Sequence, residues 1–175
     1  ESCKNSIMLT AAQSIIKKLA LEPHPEGGYF KETYRSEGEI SENQLPDVFK
    51  GNRNYSTCIY FLLTSETFSA FHKINQEEIW HFYKGDAIQL VMISEEGELS
   101  EVIIGNDIEN GELPQFVVPK HYWFAAKVIQ PESYALTGCT VAPGFDFKDF
   151  TLPTRQELID KFPQHQDLIT KFTHH

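Results

Sequence analysis

The apolar positions of the chain change period twice. Ala12, Ile15, Ile16 and Leu19 recur at the spacing of one helix face, and Thr10-Ala11-Ala12-Gln13 has the form of a capping box, so an amphipathic helix is predicted over about 10–20. The following Glu22-Pro23-His24-Pro25-Glu26-Gly27-Gly28 holds two prolines and two glycines and ends it in a turn. Tyr29–Arg35 then reads as a strand, and polar 36–54 as a long loop with a short turn. Beyond it, apolar or aromatic runs alternate with turn residues: 57–63, 68–73, 79–83, 87–93, 99–104, 115–118, 122–127 and 134–141. Many short strands without intervening helices exclude a parallel α/β architecture and predict a sandwich or barrel. The period reverts to helical at the end. Thr154-Arg155-Gln156-Glu157 is a second capping box, Leu158, Ile159 and Phe162 follow it, Pro163 interrupts, and Leu168, Ile169 and Phe172 add a further turn or two.

Composition narrows this picture. With 175 residues, 41% hydrophobic and 23% charged, the chain is expected to form one domain: a core barrel over about 29–150, an N-terminal helix over about 10–20 and a C-terminal one over about 155–172. An aromatic share of 13%, with thirteen Phe, favours pleated structure. The formal charge of −10, with no basic run beyond Lys17-Lys18, argues against nucleic acid as a partner. No run of 18 apolar residues predicts a membrane span, and the first residues do not resemble a secretion signal. Cys3, Cys58 and Cys139 are widely spaced and odd in number, so neither a disulfide framework nor a zinc knuckle is indicated and a cytoplasmic location is expected.

An antiparallel domain of this kind fits a lipocalin-like barrel, an immunoglobulin-like sandwich or a jelly roll. The stretch 71–86 discriminates. His72 leads into a turn, Glu78 opens the next strand, and Gly85 follows seven residues later. This resembles the first cupin motif, and Pro119-Lys120-His121-Tyr122-Trp123-Phe124 is similar to the second. Leu21–Phe30, Ile59–Leu63, Glu78–Tyr83 and Val141–Asp146, in that order, resemble the DUF985 cupins over about 9–172. The resemblance implies a mainly β, double-stranded β-helix or jelly-roll barrel similar to that of the dTDP-sugar 3,5-epimerases, usually dimeric. It implies no particular reaction.

Metal-binding cupins hold a divalent ion with three His and one Glu. Here His72 and Glu78 stand at two of those positions, but Ile74 and Phe124 stand at the others, so no metal or other cofactor is expected; if one were bound, His72 and Glu78 would hold it weakly. His81 is no ready replacement, because alternation puts Glu78, Trp80 and Phe82 on one face of the strand and Ile79, His81 and Tyr83 on the other. A carboxylate among Phe and Trp is desolvated, which suits it to acid–base work. His72 and Glu78 are therefore the candidate catalytic pair, with a hydrogen bond between them as the purely structural alternative. Arg35 is a candidate anchor for a ligand carboxylate or phosphate, or else a partner for a nearby acid. Tyr29, Tyr60, Trp80, His81, Phe82 and Phe124 complete the candidate ligand-binding set. His24 reads as ordering its turn, and His174-His175 is left out of the site.

These readings point to a metal-independent sugar or sugar-nucleotide epimerase or isomerase. The alternatives are a small-molecule-binding cupin without turnover and a metal-dependent oxygenase or isomerase. The expected partners are a small-molecule ligand and a second copy of the chain, with no nucleic acid and no membrane.

Overall fold

In a computed structural model the structure describes residues 2–174, and within them the side chains of 2–6, 8 and 9 are not described. Helix α1 (Ser2–Lys18) is followed by β1 (Glu22–Pro23), β2 (Tyr29–Arg35), β3 (Glu39–Ile40), β4 (Arg53–Asn54), β5 (Thr57–Thr64), β6 (Ser69–His72) and β7 (Glu77–Gly85). Then come β8 (Ile88–Ile93), β9 (Leu99–Ile104), β10 (Gln115–Val118), β11 (Trp123–Val128), β12 (Tyr134–Ala142), α2 (Arg155–Lys161) and α3 (Gln166–Lys171). One sheet has the order β1-β2-β5-β12-β7-β10 and a second the order β6-β11-β8-β9, with β3 and β4 paired separately. The strand pairings are antiparallel.

Each sheet is buried on both faces over part of its area, and strand alternation shows how. Phe61 and Leu63 of β5, Trp80 and Phe82 of β7, Ile88, Leu90 and Met92 of β8 and Phe124 of β11 meet in the barrel interior. Val91 and Ile93 point the opposite way, with Phe71 and Trp123, and are covered by Leu158, Phe162, Ile169 and Phe172 from the C-terminal helices. Leu62, Tyr134 and Leu136, on the outer face of the larger sheet, are covered by Ala12, Ile15, Ile16 and Leu19 of α1. The apolar run Leu90–Ile93 of β8 follows from its place between two apolar layers.

One predicted boundary moves. Thr10 lies inside α1, which runs from Ser2 to Lys18, so the expected start at the first capping box is corrected. A capping box is only a terminus signal, and here the helix begins eight residues before it and continues through Ile7, Met8 and Leu9. The second box caps α2 as expected: Thr154 Oγ1 accepts from Glu157 N, and Glu157 Oε2 accepts from Thr154 N at 2.8 Å. Pro163 splits the predicted C-terminal helix into α2 and α3 through a 3₁₀ turn (Pro163–His165).

The 36–54 loop contains the β3–β4 pair and a 3₁₀ turn (Glu42–Gln44). It is anchored by the buried Arg53, whose Nε and Nη2 donate to the two carboxylate oxygens of Asp149, each at 2.9 Å. Gln76 Nε2 also donates to Asp149, at 2.8 Å. This network holds the segment 143–151 over one end of the barrel, with help from Gly144 N donating to Asn54 O at 2.7 Å and from the antiparallel bridge between Lys73 and Thr151. Among the described residues no helix is long and apolar enough to cross a membrane. Cys58 and Cys139 are free thiols, whereas the side chain of Cys3 and the whole of His175 lie outside the described residues.

Candidate active site in the barrel mouth

A cavity of about 470 Å³ opens under segment 143–151, within the size range of small-molecule sites. Its polar floor comes from three strands and one turn. The turn between β1 and β2 is closed by His24 N donating to Gly28 O and Gly27 N donating to His24 O, at 2.9 and 3.0 Å. Gly27 has φ +111°, and a Cβ there would stand 2.0 Å from Phe68 O. Only glycine accepts that approach, which lets Ala70 N donate to Glu26 O at 2.8 Å and tucks the Glu26 side chain into the barrel. The residue is 6% exposed.

Inside, Glu26 Oε2 lies 2.6 Å from His72 Nδ1, and Ala70 O lies 2.7 Å from the same nitrogen. Two oxygens crowd one ring nitrogen, so Nδ1 carries its proton and Nε2 is left for exchange with a ligand. Burial works against charge on His72, but the Glu26 carboxylate outweighs it and raises the imidazole above its ordinary value. Burial likewise works to raise Glu26, and His72 outweighs it, holding the carboxyl below the usual range. The two form a buried ion pair, with Phe124 packed on the imidazole at a ring separation of 4.1 Å.

Glu78 enters the same cavity from β7, where its backbone pairs with Val118 on one side and Val141 on the other. Burial pushes its carboxyl up to about 7, against the pull of His72. Cys139, from β12, lies beside it; burial and the neighbouring Glu78 push its thiol well up, so it stays a neutral thiol. His24 closes the other side, its Nδ1 accepting from Glu26 N at 3.2 Å, and burial lowers its pKa.

Of the residues predicted from sequence, Arg35, His72 and Glu78 line this cavity. His72 and Glu78 share it without a hydrogen bond to each other among the described contacts, and the partner of His72 is Glu26. Arg35 makes four hydrogen bonds: it donates to Glu32 Oε1 at 2.6 Å and Oε2 at 3.2 Å, to Asn54 Oδ1 at 2.8 Å and to Phe145 O at 3.0 Å. Trp80, Phe82 and Phe124 belong to the apolar interior, and Tyr29 and Tyr60 pack against the layer under α1. His81 is on the outer face of the sheet, as alternation predicts, hydrogen-bonded to Thr140 Oγ1 at 3.1 Å. His121 sits at a turn with φ +66°.

Sequence reading missed Glu26, the role of His24, and the rings of Phe145, Phe147 and Phe150 that roof the cavity. The signal for Glu26 was an acid directly before two glycines in a proline-flanked turn, which marks a turn but not where it points.

The donor set does not fit a cupin metal. Ile74 lines the cavity and Phe124 packs against His72 at 4.1 Å, so apolar side chains stand where two of the four ligands would be. Among the described residues no three His, Cys, Asp or Glu side chains are arranged to hold a metal ion.

Comparisons agree with this architecture. Protein SO0799 from Shewanella oneidensis superposes with a TM-score of 0.84 at 38% identity, over 93% of this chain and 96% of that one. A hypothetical protein from Leishmania major superposes with a TM-score of 0.85 at 33% identity, over 94% and 99%. The uncharacterized protein YML079W of Saccharomyces cerevisiae is 36% identical over 151 residues, 81% of this chain and 75% of its own. A variant of oxalate decarboxylase from Bacillus subtilis shares the fold alone, with a TM-score of 0.53 at 13% identity over 87% of this chain and 37% of the enzyme. The profile of the Cupin superfamily (DUF985) matches residues 13–153, and the chain belongs to that family.

Proposed function

We propose that the barrel cavity is the active site of a metal-independent isomerase or epimerase, which moves a proton next to a carbonyl of a small, polar, carbohydrate-like substrate. The observation that carries this reading is the buried Glu26–His72 pair at 2.6 Å facing the same cavity as Glu78. A carboxyl titrating at about 7 is divided between acid and base near neutral pH, where general acid–base catalysis is most effective. Glu78 as carboxylate removes the proton α to the carbonyl. The imidazolium of His72 donates to the carbonyl oxygen as enolate charge develops, and Glu26 holds that imidazolium charged and oriented. Glu78 then gives its proton to the neighbouring carbon while the now neutral His72 takes a hydroxyl proton from the enediol, which completes isomerisation; the same return to the opposite face of the original carbon, after the enediol turns over, completes epimerisation.

The test is deuterium wash-in across a panel of sugars and sugar derivatives in D₂O, read by NMR or mass spectrometry. Incorporation at a carbon next to a carbonyl, lowered at least about 100-fold in Glu78→Gln, is expected. Absence of incorporation from every substrate, or equal rates in Glu78→Gln, would contradict the reading. A ligand that binds and is recovered without deuterium would make the protein a binding cupin instead.

A further inference from the structure

The ion pairs around the cavity also say what charge the ligand carries. Four carboxylates line it (Glu26, Glu32, Glu78 and Asp146), against one guanidinium and two imidazoles, and no lysine does among the described residues. Glu26 is matched by His72 at 2.6 Å, and Glu32 by Arg35, also at 2.6 Å. Arg35 also donates to Asn54 and the carbonyl of Phe145. The other imidazole, His24, is held towards its neutral form by burial. Arg35 and His72, the lining cations, each already face a carboxylate, while Glu78 and Asp146 have no basic side chain hydrogen-bonded to them among the described contacts. Among the described contacts Asp146 accepts from the backbone N of Lys148, at 2.8 Å.

The roof makes the same distinction through different physics. Phe145, Phe147 and Phe150 stand mutually edge to face, with centroids 5.0, 5.8 and 6.4 Å apart and interplanar angles of 82°, 79° and 72°. Phenyl faces carry negative quadrupole charge and attract cations. Phe147 is 53% exposed at the cavity mouth. An anion entering here would meet aromatic faces and unmatched carboxylates, whereas an organic cation would find both favourable.

We propose that the cavity takes an unphosphorylated ligand bearing an ammonium group on a ring of about sugar size, such as an amino sugar, and rejects phosphate esters and nucleotide sugars. The ammonium is held between the Phe145–Phe147–Phe150 corner and the carboxylates of Glu78 and Asp146. This rests on the reading that the cavity binds a small ligand, and not on any turnover there.

Cyclohexylamine, cyclohexanol and cyclohexyl phosphate offer one ring with three charges, so their affinities for the full chain, measured by calorimetry or ligand-observed NMR at pH 7.5, form the test. The amine is expected to bind at least about fivefold tighter than the alcohol, and the ester weakest of the three. Asp146→Asn preserves the turn-capping oxygen and Phe147→Leu alters an exposed ring, so both should fold; each should shrink the preference for the amine over the alcohol at least about twofold. Glucosamine should likewise outcompete glucose 6-phosphate. Equal affinities, tighter binding of the ester, no saturable binding by any of the three up to the solubility limit, or an amine preference untouched by both substitutions overturns the proposal. The two readings fail separately. An amine preference without deuterium exchange refutes the proposed reaction alone. Exchange into a phosphorylated sugar, with the ester binding best, refutes the charge assignment alone.

Discussion

At the scale of single residues the site depends on two opposite uses of burial. Glu26 and His72 are buried and stabilise each other's charge; Glu78 is buried with its charge only partly compensated. The linkage signs differ accordingly. A lowered Glu26 contributes stability that is present above the unfolded value of 4.5 and lost as pH falls through its folded value. A raised His72 contributes stability that is full below 6.5 and lost as pH rises through its folded value. The pair therefore contributes most between 4.5 and 6.5, and Glu26→Gln should cost about 3–5 kcal/mol there in chemical denaturation, less at pH 9. Glu78 behaves oppositely, because its folded value of about 7 exceeds the unfolded 4.5 and stability is lost as pH rises between them. Glu78→Gln removes that loss, so the variant should be more stable than wild type at pH 8.5, by on the order of 1–3 kcal/mol, and indistinguishable near pH 4. A constant difference across the range would mean that the carboxyl is not perturbed. His72 and Glu78 were legible from spacing within one hairpin, 72 to 78. Glu26 was not, because its partner lies 46 positions away and only the fold of the turn brings them together.

Elements show the same division between local and distant information. The strands emerged close to their predicted limits, because alternation and turn residues are local signals, and Leu90–Ile93 of β8 shows how an apolar run arises between two covered faces. The loop 36–54 carries no periodicity, so its role was invisible; a single buried arginine makes it a support for the cavity roof. Removing the partner strands that charge. Asp149→Ala should destabilise the fold by about 3–5 kcal/mol, and it should weaken ligand binding by loosening Phe145, Phe147 and Phe150. Gly27→Ala tests the turn that aims Glu26. With positive φ and a backbone oxygen 2.0 Å from the new methyl, it should lower stability by more than about 1 kcal/mol and reduce His72-dependent exchange together. A variant with wild-type stability and activity would show that the turn has room the geometry denies it.

For the whole molecule, the cupin barrel supplies a water-restricted mouth, and this chain fills it with an ion pair, a carboxylic acid and phenyl rings instead of a set of imidazole ligands. The fold was legible because several motifs and the strand pattern agreed. The charge of the ligand was not, since −10 overall says nothing about how individual carboxylates are matched. If acid–base chemistry is carried by the chain alone, dialysis against EDTA should leave any deuterium exchange unchanged, and a loss restored by one added divalent metal would place the chemistry elsewhere. The central claim is that Glu26 holds His72 charged while Glu78 keeps its proton to near neutrality. NMR titration of the imidazole and carboxyl signals tests it without knowledge of the substrate. The account predicts His72 titrating above 6.5 and falling below it in Glu26→Gln, with Glu78 titrating at about 7. A His72 value below 6.5 in the intact protein, or a Glu78 value near 4.5, would contradict it.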